Sequence, residues 1–177
     1  MNLYGLYTRE TQREDAPSAD TESQLRDLKA DLSTSGVEGI DWKISCIYRE
    51  RSSAERPEFD RALRDLAAGV IDVLMCTDVE LVCPSRGAAL RLRQVLERHG
   101  GRFVAISCDV TSDENATAVA EAVCVLFNMT PKKAWDLYEG ARSSSSEVTT
   151  ESPGLATHHG IRIDAKWVGE QPTEGPN

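Results

Sequence analysis

Residues 42–77, WKISCIYRERSSAERPEFDRALRDLAAGVIDVLMCT, contain two apolar runs separated by an amphipathic segment. The first run, 42–48, predicts a strand, and the second, 71–77, is apolar nearly throughout. Between them, Pro57 suits the first turn of a helix that ends near Gly69. A strand that is apolar along its length is typical of a parallel sheet covered on both faces. The stretch therefore predicts a strand–helix–strand unit.

The same alternation extends in both directions. LYGLYT, 3–8, predicts the first strand, and leucines at helical spacing predict a helix from about 20 to 34. A helix capped by Ser85 and running to about His99 precedes RFVAISC, 102–108, and a further helix is predicted over 114–128. This order predicts an α/β domain with a mainly parallel sheet of four or five strands flanked by helices.

The chain beyond this domain has a different composition. We predict a domain over 1–128, a short helical extension over 129–142, and a Ser-rich linker with a mostly flexible tail over 143–177. Pro131 interrupts the helix that would join the first two parts. Within the tail, IRIDAKWV could pair as one edge strand.

Composition and charge restrict the classes of function. The 177 residues include 20 Lys and Arg against 29 Asp and Glu, a net charge of −9, so the mean field does not favour contact with a phosphate backbone. Five cysteines without a CxxC pair indicate a reduced, cytoplasmic protein with no predicted metal site. The longest apolar runs are shorter than the roughly 20 residues of a membrane span, so no membrane association is predicted.

Four short motifs occur in order along the predicted domain: Tyr7-Thr-Arg9-Glu-Thr11, Gln24 on the first predicted helix, Ser53-Ala-Glu-Arg56-Pro57, and Gly69-Val-Ile-Asp72-Val. Together they resemble the catalytic domain of the serine recombinases of the resolvase and invertase type, with its Y-x-R-x-S, helical Gln, S-x-x-R-P and G-x-x-D-x motifs. The resemblance covers about residues 2–128. It implies a resolvase-like α/β catalytic domain related to site-specific DNA recombination.

The resemblance also implies a chemistry for the site. In this family a hydroxyl attacks a DNA phosphodiester, and arginines neutralise the phosphate oxygens without a metal or other cofactor. Arg9 and Arg56 match two of the arginine positions. Thr11 stands where the family has its serine, and its additional methyl group restricts χ1 and crowds in-line attack.

Two further family arginines are absent. The family's third strand is followed by D-R-L-x-R, and the corresponding stretch here is Val79-Glu80-Leu81-Val82-Cys83. Glu80 thus replaces a cation by an anion, and Cys83 replaces the other cation by a thiol. Because loss of one preorganised donor typically costs about 10² to 10³ in rate, the sequence favours impaired catalysis.

Three functions follow from these features. The preferred one is an accessory or regulatory partner, either a homodimer or a hetero-oligomer with a full-length recombinase. A second is an active recombinase that forms a covalent DNA link through Thr11. The third is a small anion- or nucleotide-binding module outside recombination, in which Arg9 and Arg56 hold the anion.

One stretch of the chain is basic. Residues 86–102 hold five arginines and one glutamate, a local balance of +4. Arg86, Arg91 and Arg93 are the candidate DNA-binding residues, and any such contact is expected to be weak. An acidic protein partner or a solvated helix face would explain the same charges.

Overall fold

The structure is a computed structural model that describes residues 1–10, 21–35, 41–52, 55–107, 121–126, 128, 130, 132 and 163–167. The predicted helix over 114–128 is described at 121–126, which are helical. The Ser-rich linker lies outside the described residues, as does the predicted extension apart from 130 and 132. No helix in the described ranges is long and apolar enough to cross a membrane.

The observed elements follow the predicted order. They are β1 (Asn2–Arg9), α1 (Thr21–Ser35), β2 (Trp42–Glu50), α2 (Pro57–Ala67), β3 (Val73–Asp78), α3 (Val79–Val82), α4 (Arg86–His99), β4 (Gly101–Ser107) and β5 (Ile163–Trp167). The sequence did not predict α3, because its four residues are too few to show a helical repeat.

The strands form one sheet in the order β2-β1-β3-β4-β5. The first four strands pair in parallel, and β5 runs antiparallel to β4. This confirms the predicted α/β fold with a mainly parallel sheet, and the IRIDAKWV segment supplies the edge strand.

Helices cover both faces of the sheet. On one face the buried leucines of α1 pack on Leu6, Val73 and Val104. On the other face α2, α4 and the helical residues 121–126 pack on Tyr7, Leu74 and Phe103. β3 is buried on both faces, as its apolar sequence predicts.

Local signals in the sequence set the ends of the helices. The Ser85 side chain accepts a hydrogen bond from the Ala88 N–H at 3.3 Å and caps α4. Pro57 begins α2, and Gly69, with φ of 68°, follows its end. At the start of α3, the Asp78 carboxylate accepts from the Glu80 N–H at 2.8 Å.

The parallel strands place their carboxyl ends at one edge of the sheet. β1 ends at Arg9, β2 at Glu50 and β3 at Asp78. α3 follows β3 directly, and a loop joins the end of β2 to the start of α2. Hydrogen bonds from Arg56 to Leu81 and Val82 hold the start of α2 beside α3. This edge contains the candidate site.

Candidate functional site

The Arg56 guanidinium lies at the centre of the site and bonds to the carbonyl end of α3. Its Nη1 donates to the Val82 carbonyl at 2.9 Å, and its Nη2 donates to the Leu81 carbonyl at 2.7 Å. A second Nη2 proton goes to the Tyr7 hydroxyl at 2.9 Å. The guanidinium also lies 4.4 Å from the centroid of the Phe59 ring, within cation–π distance. Arg56 therefore satisfies the last carbonyls of α3.

A buried chain of polar groups continues from Arg56. The Tyr7 hydroxyl donates to the Glu50 carboxylate at 3.4 Å, and the same carboxylate oxygen accepts from the Phe59 N–H at 3.0 Å. Glu50 is 2% exposed. Since Arg56, the N-cap residue of α2, makes no side-chain cap, Glu50 supplies that role from the end of β2. The network thus joins β1, β2, α2 and α3.

The pKa of the Tyr7 hydroxyl depends on the charges around this network. Burial raises the pKa of its hydroxyl to about 12, while the charge and hydrogen bond of Arg56 act in the opposite direction. The Glu50 charge raises this pKa, and the Arg9 charge lowers it. The positive charges of Arg9 and Arg56 are therefore both close enough to act on one phenol.

Gln24 fixes the backbone of Arg9. Its side-chain Oε1 accepts from the Arg9 N–H at 3.0 Å, and its Nε2 donates to the Arg9 carbonyl at 2.8 Å. Gln24 is 4% exposed. The helical glutamine therefore ties α1 to the end of β1 and sets where the half-buried Arg9 leaves the strand.

The two positions at which the resemblance predicts arginines, 80 and 83, lie in and after α3. Glu80 is half-buried in the first turn of α3, and Cys83 is 1% exposed at its end. Burial raises the pKa of the Cys83 thiol to about 12, with the Arg56 charge in opposition. The thiol is therefore neutral at pH 7 and supplies neither a cation nor a nucleophilic thiolate.

The structure places Arg9 and Arg56 at the same edge of the sheet, where the parallel strands have their carboxyl ends. Thr11, the predicted nucleophile, lies outside the described residues, and so does Ser53. No group of three or more His, Cys, Asp or Glu residues in the described part of the chain could hold a metal ion.

The predicted DNA-binding arginines are on α4. Arg91 pairs with Asp60 at 2.6 Å, and Arg93 pairs with Glu97 at 2.6 Å. Arg93 also donates to the Val125 carbonyl at 3.0 Å. Arg86 is exposed in the first turn. Two of the three guanidinium groups thus have carboxylate partners within the chain.

Sequence reasoning missed the role of Glu50. The run RERSS after the second predicted strand has the composition of a solvated loop, and only the fold shows that its one carboxylate is buried. A signal was nevertheless present, because the alternation of β2 places Glu50 on the same side as Tyr48, which is also buried.

The chain belongs to the resolvase family: the family model described as Resolvase, N terminal domain, matches residues 6–130. This confirms the resemblance inferred from the motifs. The chain is therefore a resolvase-family domain, related to site-specific recombination. No curated protein matches the chain.

Solved structures of recombinase catalytic domains are similar to it. They include the N-terminal catalytic domain of TP901-1 integrase, with 17% identity, 70% of this chain and 93% of that chain covered, and a TM-score of 0.48. The C-terminal catalytic domain of ISC1926 TnpA, an IS607-like serine recombinase, has 10% identity, coverage of 82% and 85%, and a TM-score of 0.47. A resolvase family site-specific recombinase from Streptococcus pneumoniae has 13% identity, coverage of 83% and 100%, and a TM-score of 0.49.

Proposed function

We propose that this chain is a catalytically impaired resolvase-family domain that acts as an accessory or regulatory partner of a full-length recombinase. The bonding of Arg56 carries the proposal. A guanidinium binds a phosphate through two donors on one edge, and each such edge includes an Nη2 donor. Both Nη2 protons of Arg56 are already bonded, to Tyr7 and to the Leu81 carbonyl. Bidentate phosphate binding would have to break one of these bonds.

The residues at positions 80 and 83 support the same proposal. A phosphodiester that is being cleaved gathers negative charge, and fixed cations lower the energy of that state. Glu80 adds a carboxylate beside the site, and the buried thiol of Cys83 is uncharged at pH 7. Each missing donor is expected to lower the rate by about 10² to 10³, so the loss of both should lower it by about 10⁴ to 10⁶.

Two features beside the helical residues 121–126 are typical of the end of a helix. Asn128 has a φ of 49°, and the Arg93 guanidinium donates to the Val125 carbonyl. A residue in the left-handed region and a basic side chain on the last carbonyls are both typical of a helix C-terminus. A helix that ends here would not continue into the predicted extension over 129–142, in agreement with the interruption expected at Pro131.

Two measurements test the proposal. The chain is incubated with sheared genomic DNA from its source organism, the reaction is stopped with detergent, and covalent protein–DNA adducts are counted, with Thr11→Ala as the matched control. We expect no adduct above the level of Thr11→Ala. An adduct that forms with the native chain and disappears in Thr11→Ala would establish an active recombinase and contradict the proposal.

The second measurement tests pairing. The chain is co-expressed with each full-length serine recombinase of the source organism, and complexes are identified by native mass spectrometry. We expect a defined complex that is weakened by charge reversal at the exposed Glu121 and Lys132 and unaffected by reversal at Arg26, an exposed residue of α1. A strictly monomeric chain would refute the accessory role, and saturable nucleotide binding lost in Arg56→Ala would favour the anion-binding module.

A further inference from the structure

A groove lies between α2 and α4, away from the Arg56 network. It encloses about 700 Å³, within the range of sites that hold several side chains or a small molecule. Its apolar lining includes Leu63 and Ala67 of α2 and Val95 of α4. Because α2 and α4 end just before β3 and β4 begin, the carboxyl ends of both helices lie toward the amino edge of the sheet, opposite the candidate site.

The groove is closed at one end by an ion pair. Arg91 of α4 reaches across to Asp60 in the first turn of α2, with 2.6 Å between Nη2 and Oδ1. The Arg91 guanidinium is also 5.4 Å from the centroid of the Phe59 ring. The charges of Arg91 and Asp60 at this end of the groove therefore already have partners within the chain.

The other end of the groove has two arginines that form no ion pair with any of the described residues. Arg64 lies in the last turn of α2 and Arg98 in the last turn of α4, and both are exposed. Within the residues that the structure describes, neither guanidinium forms a hydrogen bond or an ion pair. Two arginines thus flank an apolar floor in a chain whose net charge is −9.

We propose that this groove docks a short acidic segment of a partner protein, with carboxylates on Arg64 and Arg98 and an apolar side chain on the floor. A nucleic acid backbone fits less well, because its regular series of phosphates would pass Asp60 and Glu97, which also line the groove. A peptide can place charge at two points and an apolar side chain between them.

The proposal does not rest on the loss of catalysis. Arg64 and Arg98 take no part in the bonds that hold Arg56, and the groove would be present in an active or an inactive domain. Failure of the docking test would therefore leave the proposed function unchanged, and an active site would leave the docking proposal unchanged.

The test uses the full chain and an array of labelled eight-residue peptides, in which two or three glutamates are set at every spacing around one leucine. Binding is measured by fluorescence anisotropy. We expect a subset of peptides to bind, and Arg64→Glu or Arg98→Glu to weaken that binding about tenfold, the size of one charged hydrogen bond. Arg26→Glu makes the same change in net charge on α1 and should leave binding unchanged.

Changes in the peptide test the apolar floor without risk to folding. Replacing leucine by alanine should weaken binding, and replacing the glutamates by glutamine should abolish it. The proposal is overturned if no peptide binds, or if binding is equal in Arg98→Glu and Arg26→Glu. It is also overturned if a 12-base-pair DNA duplex displaces the peptide from the native chain, or if Arg98→Glu converts a dimer of this chain to a monomer.

Discussion

The Arg56 guanidinium donates a 2.7 Å hydrogen bond to the backbone carbonyl of Leu81. The two residues are 25 positions apart, and their contact joins the start of α2 to the end of α3. An arginine in a motif that the family uses for phosphate chemistry thus completes a helix terminus here. Its guanidinium bonds to the last two carbonyls of α3 and to the Tyr7 hydroxyl.

We expect Arg56→Lys to destabilise the fold. A lysine has one nitrogen on a flexible stem, and it cannot reach two carbonyls and the Tyr7 hydroxyl in the way that a planar guanidinium does. The loss in free energy of unfolding should be about 2 to 3 kcal/mol, as for hydrogen bonds of charged groups. Urea denaturation at pH 7 measures it. Arg61→Lys is the control, since the Arg61 side chain is 45% exposed and should change stability by less than about 1 kcal/mol. Equal effects would contradict the assigned role of Arg56.

The pH dependence of stability tests the Tyr7 hydroxyl. Its pKa is raised by burial from an ordinary 10.0 to about 12 in the folded chain. Between these values the folded state keeps a proton that the unfolded state has lost, so stability is full below pH 10 and falls as the pH rises toward 12. One such group contributes a slope of up to about 1.4 kcal/mol per pH unit.

We therefore expect Tyr7→Phe to have two effects. It should lower stability at pH 7 by about 1 to 2 kcal/mol, because Arg56 and Glu50 lose a buried partner. It should also make the decline in stability between pH 10 and 11 shallower than in the native chain. Urea midpoints at pH 7, 9, 10 and 11 measure both effects, with Tyr4→Phe at a half-buried position of the same strand as the control. An unchanged alkaline slope would show that Tyr7 does not titrate as described.

The sheet and the helices that cover it were predictable because their signals are local. Ser85 caps α4, Pro57 begins α2, and the apolar run of β3 indicates burial on both faces. Each of these signals is read from a window of a few residues. The order of the elements then restricts the topology.

The bonding of the site was not predictable in the same way. Arg56 was identified as a site residue, but its partners are main-chain carbonyls, and every residue type carries one. Glu50 is the last residue of β2 and precedes a polar loop, so its burial depends on how α2 packs on β2. One sequence motif is compatible with Arg56 as a phosphate-binding residue and with Arg56 as a helix-capping residue. Only the three-dimensional contacts distinguish these two interpretations.

Gln24 should be necessary for the position of Arg9. Gln24→Leu keeps a similar volume but leaves the N–H and carbonyl of Arg9 without their partner, at a cost of about 2 kcal/mol. Amide hydrogen exchange at Arg9 should also become faster. Gln94→Leu, at an exposed position of α4, should change stability by less than about 0.5 kcal/mol. Unchanged exchange at Arg9 in Gln24→Leu would refute this role.

Substitution of two glycines by alanine should change the free energy of unfolding in opposite directions. A Cβ at Gly5 would lie 2.6 Å from Ile71 Cδ1 and 2.7 Å from Tyr48 Cε2, so Gly5→Ala should cost about 1 to 3 kcal/mol by overpacking. A Cβ at Gly87, within α4, would meet only the Ser85 Oγ at 3.9 Å, so Gly87→Ala should stabilise the helix by up to about 1 kcal/mol. Thermal denaturation of both variants measures the difference, and a tolerated Gly5→Ala would contradict the packing of β1 against Ile71.

An arginine introduced at position 83 should destabilise the fold. Cys83 is 1% exposed, and the Arg56 charge is close enough to lower its thiol pKa. An arginine there would bury a second cation beside the first. We expect Cys83→Arg to cost more than about 3 kcal/mol, whereas Cys83→Ala, which adds no charge, should cost about 1 kcal/mol.

Glu80→Arg tests whether the expected cost of Cys83→Arg comes from burying the new cation or from adding its charge. Position 80 is half-buried, so an arginine there can reach solvent, and the variant should fold with a loss below about 1 kcal/mol. Urea denaturation of the three variants gives the ranking. If Cys83→Arg is as stable as Cys83→Ala, the end of α3 can open to admit a guanidinium, and the site would be one substitution closer to phosphate binding than the structure indicates. If the expected order holds, one substitution cannot place a cation at position 83 without a loss of stability, because that position is buried.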